Sequence, residues 1–452
     1  MRTLLLALAF ALPLAAQWAD VDKAVAGILE ESGAPSASIA IVKDGKIAYE
    51  QAYGVARLDP RTPATPAMRY SIGSISKQFT AAAVLLLVEE GKLSLDDRVV
   101  RWLPDLMRAK DVTIRQLLSM TSGYRDFWPQ DYVMPMMLKD VEAAQILEEW
   151  AEKSLDFEPG TKRQYSNTNY TILGVIIERV AGMPLMQFLT QRIFTPLGMK
   201  SVVDTDQSAL GPADAMRYQR FALGPPREAP KEGKGWMFGA GGLAMTAHDL
   251  ALWNISVMDQ TVLEPSSYRE LTRETQLANG VGVRYGLGVN VALVDDLRTI
   301  SHGGEVSGFT ATNQIYPDDR GAISVLVNLD ASDASSDIVT KLRKLVFLPP
   351  IGPSAEAQDI ARAIFEDLQR GRIDRSSFTS AANHYFSEQA VQDFASSLKP
   401  MGKVREVTEE TPFVRGGMIG RTFKIKTAKK TFHVSTFWTE TGRLEQYIVT
   451  AD

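Results

Sequence analysis

The chain of 452 residues is longer than one ordinary hydrophobic core accommodates, so two domains with additional segments are expected. Its net charge of −5 favours neither a nucleic acid nor an anionic membrane surface as a partner. The chain has no cysteine, which excludes thiol catalysis, thiolate metal sites and disulfides, and its four histidines form no metal-ligand spacing. We therefore expect no metal, no cofactor and no nucleic acid partner, and a chemistry that rests on oxygen and nitrogen groups.

The N-terminal residues have the pattern of a secretory signal peptide. Arg2 provides a positive charge, an apolar stretch follows over residues 4–14, and Ala15-Ala16 provide small residues for cleavage. The apolar stretch is shorter than the roughly 20 residues that a membrane-spanning helix needs. The sequence therefore predicts a signal peptide over residues 1–16, export to the periplasm or the extracellular space, and no membrane span after signal removal.

The next part of the chain predicts an α+β domain over residues 17–350. A helix over residues 21–31 precedes two short strands that alternate around Asp44-Gly45, a strong hairpin signal. A second hairpin is predicted far downstream, with helices at residues 77–90 and 170–180 between the two hairpins. Strands at both ends of the domain favour one antiparallel sheet, flanked by helices, with a helical region inserted. The predicted strands cover residues 37–42, 47–53, 309–316 and 322–329.

A smaller unit is predicted behind this domain. A helix over residues 337–347 ends the first pattern, and prolines at 349, 350 and 353 interrupt it. A new apolar helical face then begins at Ala355, followed by strand-like runs. The sequence therefore predicts a small α+β accessory domain over residues 351–452, with strands at 422–427, 431–438 and 444–449.

The first motif with chemical significance is Ser74-Ile75-Ser76-Lys77. Apolar, helix-forming residues follow it, so Ser74 is expected at a helix N-terminus with Lys77 one turn later on the same face. A serine hydroxyl needs a neighbouring base, and a buried lysine loses its proton easily because burial disfavours the charged form. Alone the pattern is weak, because Ser396-Ser397-Leu398-Lys399 has the same spacing. Pro400 follows that second copy and no companion motif accompanies it, so we expect no catalytic role there.

The second motif, Tyr165-Ser166-Asn167, follows a predicted turn and precedes a helix. Tyr165 is expected to share or relay the proton of Ser74, provided that cationic neighbours lower its pKa. Asn167 is expected to orient Lys77 and to donate a hydrogen bond to a substrate carbonyl.

The third motif, His302-Gly303-Gly304, lies ahead of the predicted strand that begins at residue 309. Glycines beside a strand let a substrate approach the backbone closely, which makes Gly304 a candidate binding residue. The backbone N–H of Glu305 is expected to join that of Ser74 in binding an oxyanion. His302 is expected to point a donor into the cleft, although a lone histidine here is also typical of a loop that follows a strand.

Taken together, the three motifs resemble those of the serine β-lactamase and penicillin-binding-protein family in residue types and order. Further segments are similar to class C β-lactamases and their esterase and peptidase relatives, and the resemblance extends over roughly residues 20–347. It implies a β-lactamase/transpeptidase-like fold and acylation of Ser74. The C-terminal unit is faintly similar to NTF2-like accessory domains. The matching segments read LDDRVVRWLPDL, VTIRQLLSMTSGY, FEPGTKRQYSNTNYTILG, LGMKSV and GAGGLAMTAHDLALW.

One position departs from the class C pattern. There the third motif carries a lysine whose ammonium meets the substrate carboxylate, whereas His302 occupies this place here, as histidine does in several esterase-like and peptidase-like relatives. A neutral imidazole has no full charge above its usual pKa of about 6.5, so His302 is expected to need a pH near 5.5 to imitate the lysine. The resemblance therefore favours β-lactams less than neutral substrates.

The resulting prediction is an exported serine hydrolase that cleaves an amide or ester through an acyl-enzyme on Ser74. The substrate is a small molecule or a peptide, with a β-lactam, a D-amino-acid peptide and a small ester all open. The alternative is a penicillin-binding or sensor protein that is acylated without turnover. Neither the oligomeric state nor the role of residues 351–452 follows from the sequence.

Overall fold

The first part of the chain places strands at both of its ends and helices between them. The computed structural model describes residues 5–130, 132–295, 297–348, 354–439 and 442–451, and for residues 5–16 the backbone alone. Up to residue 348 the elements are α1 (Leu5–Ser32), β1 (Ser36–Lys43), β2 (Lys46–Leu58), β3 (Arg61–Pro63), β4 (Tyr70–Ser71), α2 (Ser76–Glu89), α3 (Ile114–Leu118), α4 (Ala143–Ile146), α5 (Asn167–Ala181), α6 (Leu185–Leu189), α7 (Thr195–Leu197), β5 (Val203–Asp204), β6 (Tyr218–Gln219), β7 (Arg227–Glu228), α8 (Phe238–Gly241), β8 (Leu243–Met245), α9 (Ala247–Asp259), α10 (Pro265–Thr272), β9 (Asn290–Val294), β10 (Leu297–Val306), β11 (Phe309–Tyr316), β12 (Gly321–Val327) and α11 (Ala334–Val346).

The central sheet is antiparallel and joins both ends of this unit. Its order is β3-β2-β1-β12-β11-β10-β9, and the N-terminal strand β1 pairs with β12 in the register Ala40↔Ser324. The predicted α+β class with one antiparallel sheet is therefore confirmed. Both predicted hairpins are also present, and Asp44 and Gly45 adopt the positive φ values of 53° and 74° that a two-residue turn with a primed geometry requires.

Helices cover both faces of this sheet. Strand β1 contacts both helical layers, because successive residues of a strand point to opposite faces. Ile39 and Ile41 pack in one apolar cluster with residues of α1 and α11. Ala40 and Val42 belong to a larger cluster that contains residues of α2, α5 and α9. A strand that is buried on both faces has no polar side to alternate with, which explains why β1 is almost uniformly apolar.

Helix α2 lies at the centre of the larger cluster and carries the first motif. All its residues from Ser76 to Leu87 are buried. The Phe79 ring contacts Phe194 and Trp253, with ring centroids 5.4 and 4.8 Å apart, and the Trp253 indole donates to Gln78 Oε1 at 2.8 Å. This packing holds the polar residues at the start of α2 in one position and out of bulk water.

The C-terminal unit has its own core. The chain separates into two compact units, residues 1–348 and 349–452, while the interrupting residues 349–353 lie outside the described residues. The predicted helix at Ala355 and the three predicted strands are confirmed, and the resemblance to NTF2-like domains remains a prediction. The elements are α12 (Ala355–Gln369), α13 (Ser380–Tyr385), α14 (Glu388–Leu398), β13 (Val404–Glu409), β14 (Phe413–Arg415), β15 (Met418–Thr427), β16 (Thr431–Trp438) and β17 (Leu444–Ala451).

The five strands of this unit form one antiparallel sheet in the order β13-β15-β16-β17, with β14 also paired to β15. Phe365 of α12 packs against Phe432 of β16, with ring centroids 5.3 Å apart. The sequence did not predict β13 and β14, because their side chains are largely exposed and β13 carries three charged residues. Edge strands of this kind lack the alternating apolar signal.

The N-terminal helix is longer than predicted, since α1 extends from Leu5 to Ser32. The predicted signal peptide falls partly on residues 1–4, which lie outside the described residues, so the signal peptide and export remain predictions. Within the described ranges, no single helix is long and apolar enough to cross a membrane. One bent pair, Asn167–Ala181 with Leu185–Leu197, meets the criteria of length and composition only when its two helices are taken together.

Candidate active site

Ser74 lies in a short 3-10 turn, Gly73–Ile75, that leads directly into α2. The turn comes very close to strand β10. Gly73 has a φ of 50°, and a Cβ atom at this position would lie 2.7 Å from the backbone nitrogen of Glu305. Only glycine combines this backbone conformation with so close an approach. The local sequence thus places the candidate nucleophile beside the backbone of β10.

Lys77 is completely buried, and its ammonium nitrogen has three neighbours. The Nζ atom lies 2.9 Å from Ser74 Oγ, 2.8 Å from Asn167 Oδ1 and 2.8 Å from the carbonyl oxygen of Ala240. Burial lowers the pKa of Lys77 to about 7, although the carboxylate of Asp126 acts in the opposite direction. The neutral amine is therefore well populated at neutral pH.

The identity of these neighbours decides where the lone pair of the neutral amine points. An amide oxygen and a backbone carbonyl only accept hydrogen bonds. The Asn167 and Ala240 oxygens accept hydrogen bonds from the two N–H groups of a neutral Lys77. The lone pair of the amine therefore faces the Ser74 hydroxyl. This arrangement allows Lys77 to remove the proton of Ser74, as the sequence predicts.

Asn167, the first residue of α5, is held in turn by Asp126. The Asn167 amide nitrogen donates to Asp126 Oδ1 at 3.1 Å, and its backbone N–H donates to the same oxygen at 2.9 Å. The amide nitrogen also lies 3.4 Å from Asp126 Oδ2, and together these contacts direct the Asn167 amide oxygen towards Lys77. Asp126 was not predicted, because an isolated aspartate in a loop carries no periodic or motif signal.

Tyr165 also reaches the nucleophile, but its titration differs from the expectation. Its ring centroid lies 4.9 Å from Lys77 Nζ, and Ser74 lies close enough to its hydroxyl to lower its pKa in part. The condition that cationic neighbours lower the pKa is not met. Burial, the neighbouring Tyr285 and the carboxylate of Asp126 raise the pKa of Tyr165 well above its usual value, and they outweigh Arg163. The raised pKa favours the neutral phenol over a phenolate.

The third motif lies within strand β10 rather than in a loop. Strand β9 pairs with β10 only as far as Ser301, whereas β11 pairs with it as far as Val306. The edge of β10 that begins at His302 is thus not covered by β9. A Cβ atom on Gly304 would lie 1.9 Å from the carbonyl oxygen of Ile72 and 3.3 Å from the nitrogen of Ser74. This close approach brings the backbone of residues 304–305 next to the Ser74 N–H, the arrangement that an oxyanion site needs.

His302 does not behave as predicted. Its side chain is only 4% exposed, its Nδ1 lies 2.6 Å from the carbonyl oxygen of Gly303, and its Nε2 lies 3.0 Å from the Tyr285 hydroxyl. Because the carbonyl only accepts, Nδ1 carries the proton and Nε2 accepts from Tyr285. Burial and the nearby Lys77 lower the pKa of His302 to about 3. The expectation that His302 gains a charge near pH 5.5 is therefore wrong, and both ring nitrogens already have protein partners.

Tyr285 was missed by the sequence analysis. It is fully buried, and the Arg163 guanidinium lies 4.6 Å from its ring centroid. The glycine-flanked segment Tyr285-Gly286-Leu287-Gly288 is the signal that identifies it in retrospect. Gly288 has a φ of 76°, and a Cβ atom there would lie 2.9 Å from the carbonyl oxygen of Lys77, so this segment packs directly against α2.

The predicted site residues meet in one cavity of about 690 Å³, with Lys77 behind Ser74. Two further acidic residues, Asp126 and Asp330, also contribute to the wall. No group of three or more His, Asp or Glu side chains within the described ranges is arranged to hold a metal ion. The residues that line the cavity are Ser74, Asp126, Trp128, Pro129, Gln130, Tyr132, Val133, Gln164, Tyr165, Asn167, Gln219, Pro230, Met237, Ala240, Gly241, His302, Gly303, Gly304, Glu305, Val306, Ser307, Thr310, Ala311, Asp330, Ser332 and Ser335.

Comparison with known proteins gives consistent matches. A family model described as Beta-lactamase matches residues 21–346. A D-aminopeptidase of Brucella anthropi is 30% identical over 320 residues, which cover 69% of this chain and 59% of that protein. Protein flp of Staphylococcus aureus is 29% identical over 326 residues, which cover 69% of this chain and 63% of that protein. The chain thus spans about three fifths of the length of these curated relatives.

Solved structures extend the comparison. A D-stereospecific amidohydrolase from Streptomyces sp. has a TM-score of 0.62 at 25% identity, covering 72% of this chain and 98% of the other. The octameric penicillin-binding protein homologue from Pyrococcus abyssi has a TM-score of 0.63 at 20% identity and covers 95% of this chain and 99% of the other. At that identity the second match shows the fold alone, and it extends into the C-terminal unit.

Proposed function

The chain belongs to the Beta-lactamase family, and on that premise we propose that it is a serine hydrolase that cleaves amides through an acyl-enzyme on Ser74. One observation carries the proposal. Lys77, whose pKa burial lowers to about 7, lies 2.9 Å from the Ser74 hydroxyl with its other two hydrogen-bond positions occupied by acceptors. A nucleophile and a base that are matched in position and in pKa are what acyl transfer requires.

In the acylation step, Ser74 Oγ forms a bond to the substrate carbonyl carbon while its proton passes to Lys77. The carbonyl oxygen becomes an oxyanion, which the backbone N–H groups of Ser74 and Glu305 bind. Asp126 stabilises the Lys77 ammonium that forms, since its charge favours that state. The carbon–nitrogen bond of the amide then breaks, and the amine takes a proton from Lys77, directly or through the Tyr165 hydroxyl.

In the deacylation step, a water molecule replaces the departed amine. Its oxygen attacks the ester carbonyl of the acyl-enzyme and its proton moves to the neutral Lys77. The ester bond then breaks, Ser74 regains its proton, and the carboxylic acid product leaves. Tyr165 assists by passing on a proton and not as a phenolate base, because its pKa is raised.

The relatives and His302 support a proposal for the substrate class. A D-aminopeptidase and a D-stereospecific amidohydrolase are among the similar proteins, which supports an amide or peptide of D configuration. Carboxylate-bearing β-lactams are disfavoured, because His302 is neutral and bound to Tyr285, so it offers them no charge. We propose small D-amino-acid amides as the preferred substrates, with small esters as weaker ones.

The test combines steady-state turnover with intact-mass spectrometry. D-alanine p-nitroanilide, a penicillin and a short-chain nitrophenyl ester are each incubated with the full chain. We expect turnover of the anilide without a lasting adduct, and slow or no turnover of the penicillin. A persistent adduct on Ser74 with every substrate would instead indicate an acylated sensor. The absence of both turnover and adduct would refute the proposed function.

A further inference from the structure

The C-terminal unit contains a cavity of about 300 Å³ between α14 and the sheet. Its inner end is formed by Leu398 and Phe432, which are only 3% and 6% exposed. Phe394, Met401 and Val449 pack against the same core and stay half-buried, so the cavity is open to solvent on their side. Sites for small molecules typically have volumes of about 300–1,000 Å³. The cavity therefore has the size of a small binding site with apolar walls.

Lys430 is the only charged residue among the described ones that line this cavity, and it is exposed. The other two polar side chains in the lining already have partners. The Ser397 hydroxyl donates to the carbonyl oxygen of Asp393 at 2.6 Å, and the Thr450 hydroxyl donates to that of His433 at 3.4 Å. A ligand in the cavity therefore meets apolar groups at the inner end and a positive charge at the outer end.

The turn that carries Lys430 is held in place by Thr427. The Thr427 hydroxyl donates to the carbonyl oxygen of Lys430 at 2.8 Å and accepts from the Lys430 N–H at 3.1 Å. The segment that follows α14 lies against the same turn, because a Cβ atom on Gly402 would lie 2.9 Å from the Cβ atom of Ala428. Residues 399–403 and 427–430 are therefore neighbours in fixed positions.

These two segments carry four exposed lysines, which are Lys399, Lys403, Lys429 and Lys430. No described acidic residue forms an ion pair with any of them. The ion pairs among the described residues of this unit use arginines and Lys424 instead. Positive charges that lie close together repel one another, and an anion bound between them relieves this repulsion.

An acidic residue is close in the strand pairing, but it lies on the other face of the sheet. Glu406 is opposite Lys426 in the register of β13 and β15. Val407 and Ile425, which are adjacent to them in the two strands, face the core. Because successive residues of a strand point to opposite faces, Glu406 and Lys426 both point away from the core. The lysines beside the cavity therefore favour an anionic ligand.

We propose that this cavity binds a free, single-chain anionic amphiphile, with its alkyl chain against Leu398 and Phe432 and its anionic head group at Lys430. Burial of the chain supplies the hydrophobic part of the affinity, and charge-assisted hydrogen bonds from lysine supply the selectivity for an anion. A membrane surface does not fit this site. Insertion into a bilayer needs exposed apolar side chains, whereas Leu398 and Phe432 are buried at the inner end of the cavity.

The test measures the binding of four probes to the full chain by isothermal titration calorimetry, below the concentrations at which the probes form micelles. Decanoate, decanol and decyltrimethylammonium share one chain length and differ in charge, whereas butyrate has the carboxylate on a shorter chain. We expect decanoate to bind about tenfold more tightly than decyltrimethylammonium, because only the anion accepts charge-assisted hydrogen bonds. Butyrate should bind at least about tenfold more weakly than decanoate, since it buries fewer methylene groups.

Three variants locate the binding site. Lys430→Gln is expected to weaken the binding of decanoate about tenfold and to leave that of decanol unchanged. Met401→Trp, which places a larger side chain in the cavity, should weaken the binding of both about tenfold or more. Lys426→Gln, on the other face of the sheet, is the matched control and should change neither. Melting temperatures establish that each variant folds, and Lys430→Gln alone decides the test if Met401→Trp does not fold.

The proposal is overturned if the wild type does not bind decanoate, or if it binds decanoate no more tightly than decyltrimethylammonium. It is also overturned if the folded Lys430→Gln variant keeps the wild-type affinity for decanoate, or if Lys426→Gln loses as much affinity as Lys430→Gln. Adsorption to phosphatidylglycerol vesicles without binding of free decanoate would indicate a membrane-docking surface in place of the proposed site.

Discussion

The chain contains the same four-residue spacing twice, once at Ser74–Lys77 and once at Ser396–Lys399, and the two copies have different surroundings. Ser74 lies just before the first residue of a buried helix, and Lys77 is completely inaccessible to solvent. Ser396 lies near the end of α14, where it is exposed and donates to the carbonyl oxygen of Asp393 in its own helix at 3.0 Å.

The difference shows which physical conditions make a serine and a lysine reactive. The start of a helix carries positive potential, which favours a forming oxyanion, whereas the end of a helix carries negative potential. Burial lowers the pKa of Lys77, while Lys399 is exposed to water. A shared spacing brings two side chains together, but helix polarity and desolvation decide whether they react.

The strongest test of this comparison replaces the two serines. Ser74→Ala is expected to lower kcat/KM for a D-amino-acid anilide by several orders of magnitude, on the order of 10⁴-fold or more, because it removes the nucleophile. Ser396→Ala is expected to leave kcat/KM unchanged. Wild-type turnover by Ser74→Ala, or a large loss in Ser396→Ala, would reverse the assignment.

The lysines give the next largest effect. Lys77→Ala is expected to reduce kcat by roughly 10²–10⁴-fold, the usual contribution of a general base, and Lys399→Ala is the control without effect. Tyr165→Phe should also reduce kcat, and the double variant Lys77→Ala/Tyr165→Phe should be little worse than the poorer single variant. Residues that act as one proton-transfer unit are not additive. Effects that multiply in the double variant would contradict this unit.

The dependence of kcat/KM on pH tests whether burial makes Lys77 a base, because its pKa is lowered. Its protonated form cannot accept the proton of Ser74, so kcat/KM should fall about tenfold per pH unit below about pH 7 and level off above it. N-acetyl-D-alanine p-nitroanilide is the appropriate substrate, because it has no ionising group. Asp126→Asn removes a charge that raises the pKa of Lys77, and should therefore move this limb to lower pH. If the pH at which kcat/KM begins to fall is the same in Asp126→Asn as in the wild type, a group other than Lys77 is responsible for the fall.

The smallest effect on activity is expected from removing residues 349–452, the unit that contains Ser396 and Lys399. A chain that ends at Leu348 keeps the central sheet, α2 and every residue of the candidate active site. We expect it to fold and to retain kcat/KM for a small anilide within about a factor of two, since a domain with its own core folds independently. Circular dichroism and steady-state kinetics measure both properties. Insolubility, or a folded chain without activity, would show that residues 349–452 support the site.

Much of the fold was predictable from local patterns. The turn residues Asp44-Gly45 indicated the first hairpin, apolar helix-forming residues after the first motif indicated α2, and Gly182 marked the end of α5, where its φ is 68°. Each of these signals acts through neighbours in the sequence, so a single chain is sufficient to identify it. The order of the three motifs also indicated which side chains meet around Ser74.

The titration of those side chains was decided only by the tertiary structure. Tyr165 was expected to act provided that cationic neighbours lower its pKa, and His302 was expected to gain a charge only near pH 5.5. Burial shifts the pKa of both towards the neutral form, together with Tyr285 in the case of Tyr165 and Lys77 in the case of His302. Asp126 and Asp330 carry no local signal at all. Their surroundings come from residues that are distant in sequence, Asn167 in one case and Glu305 in the other.

The sequence by itself determined the candidate nucleophile, its candidate base and the antiparallel sheet, because residue types, spacing and periodicity encode them directly. Only the tertiary structure decided which of the groups around Ser74 are shifted towards their neutral forms. The physical reason is that a pKa depends on desolvation and on every charge within a few ångströms, and these neighbours are assembled from the whole chain.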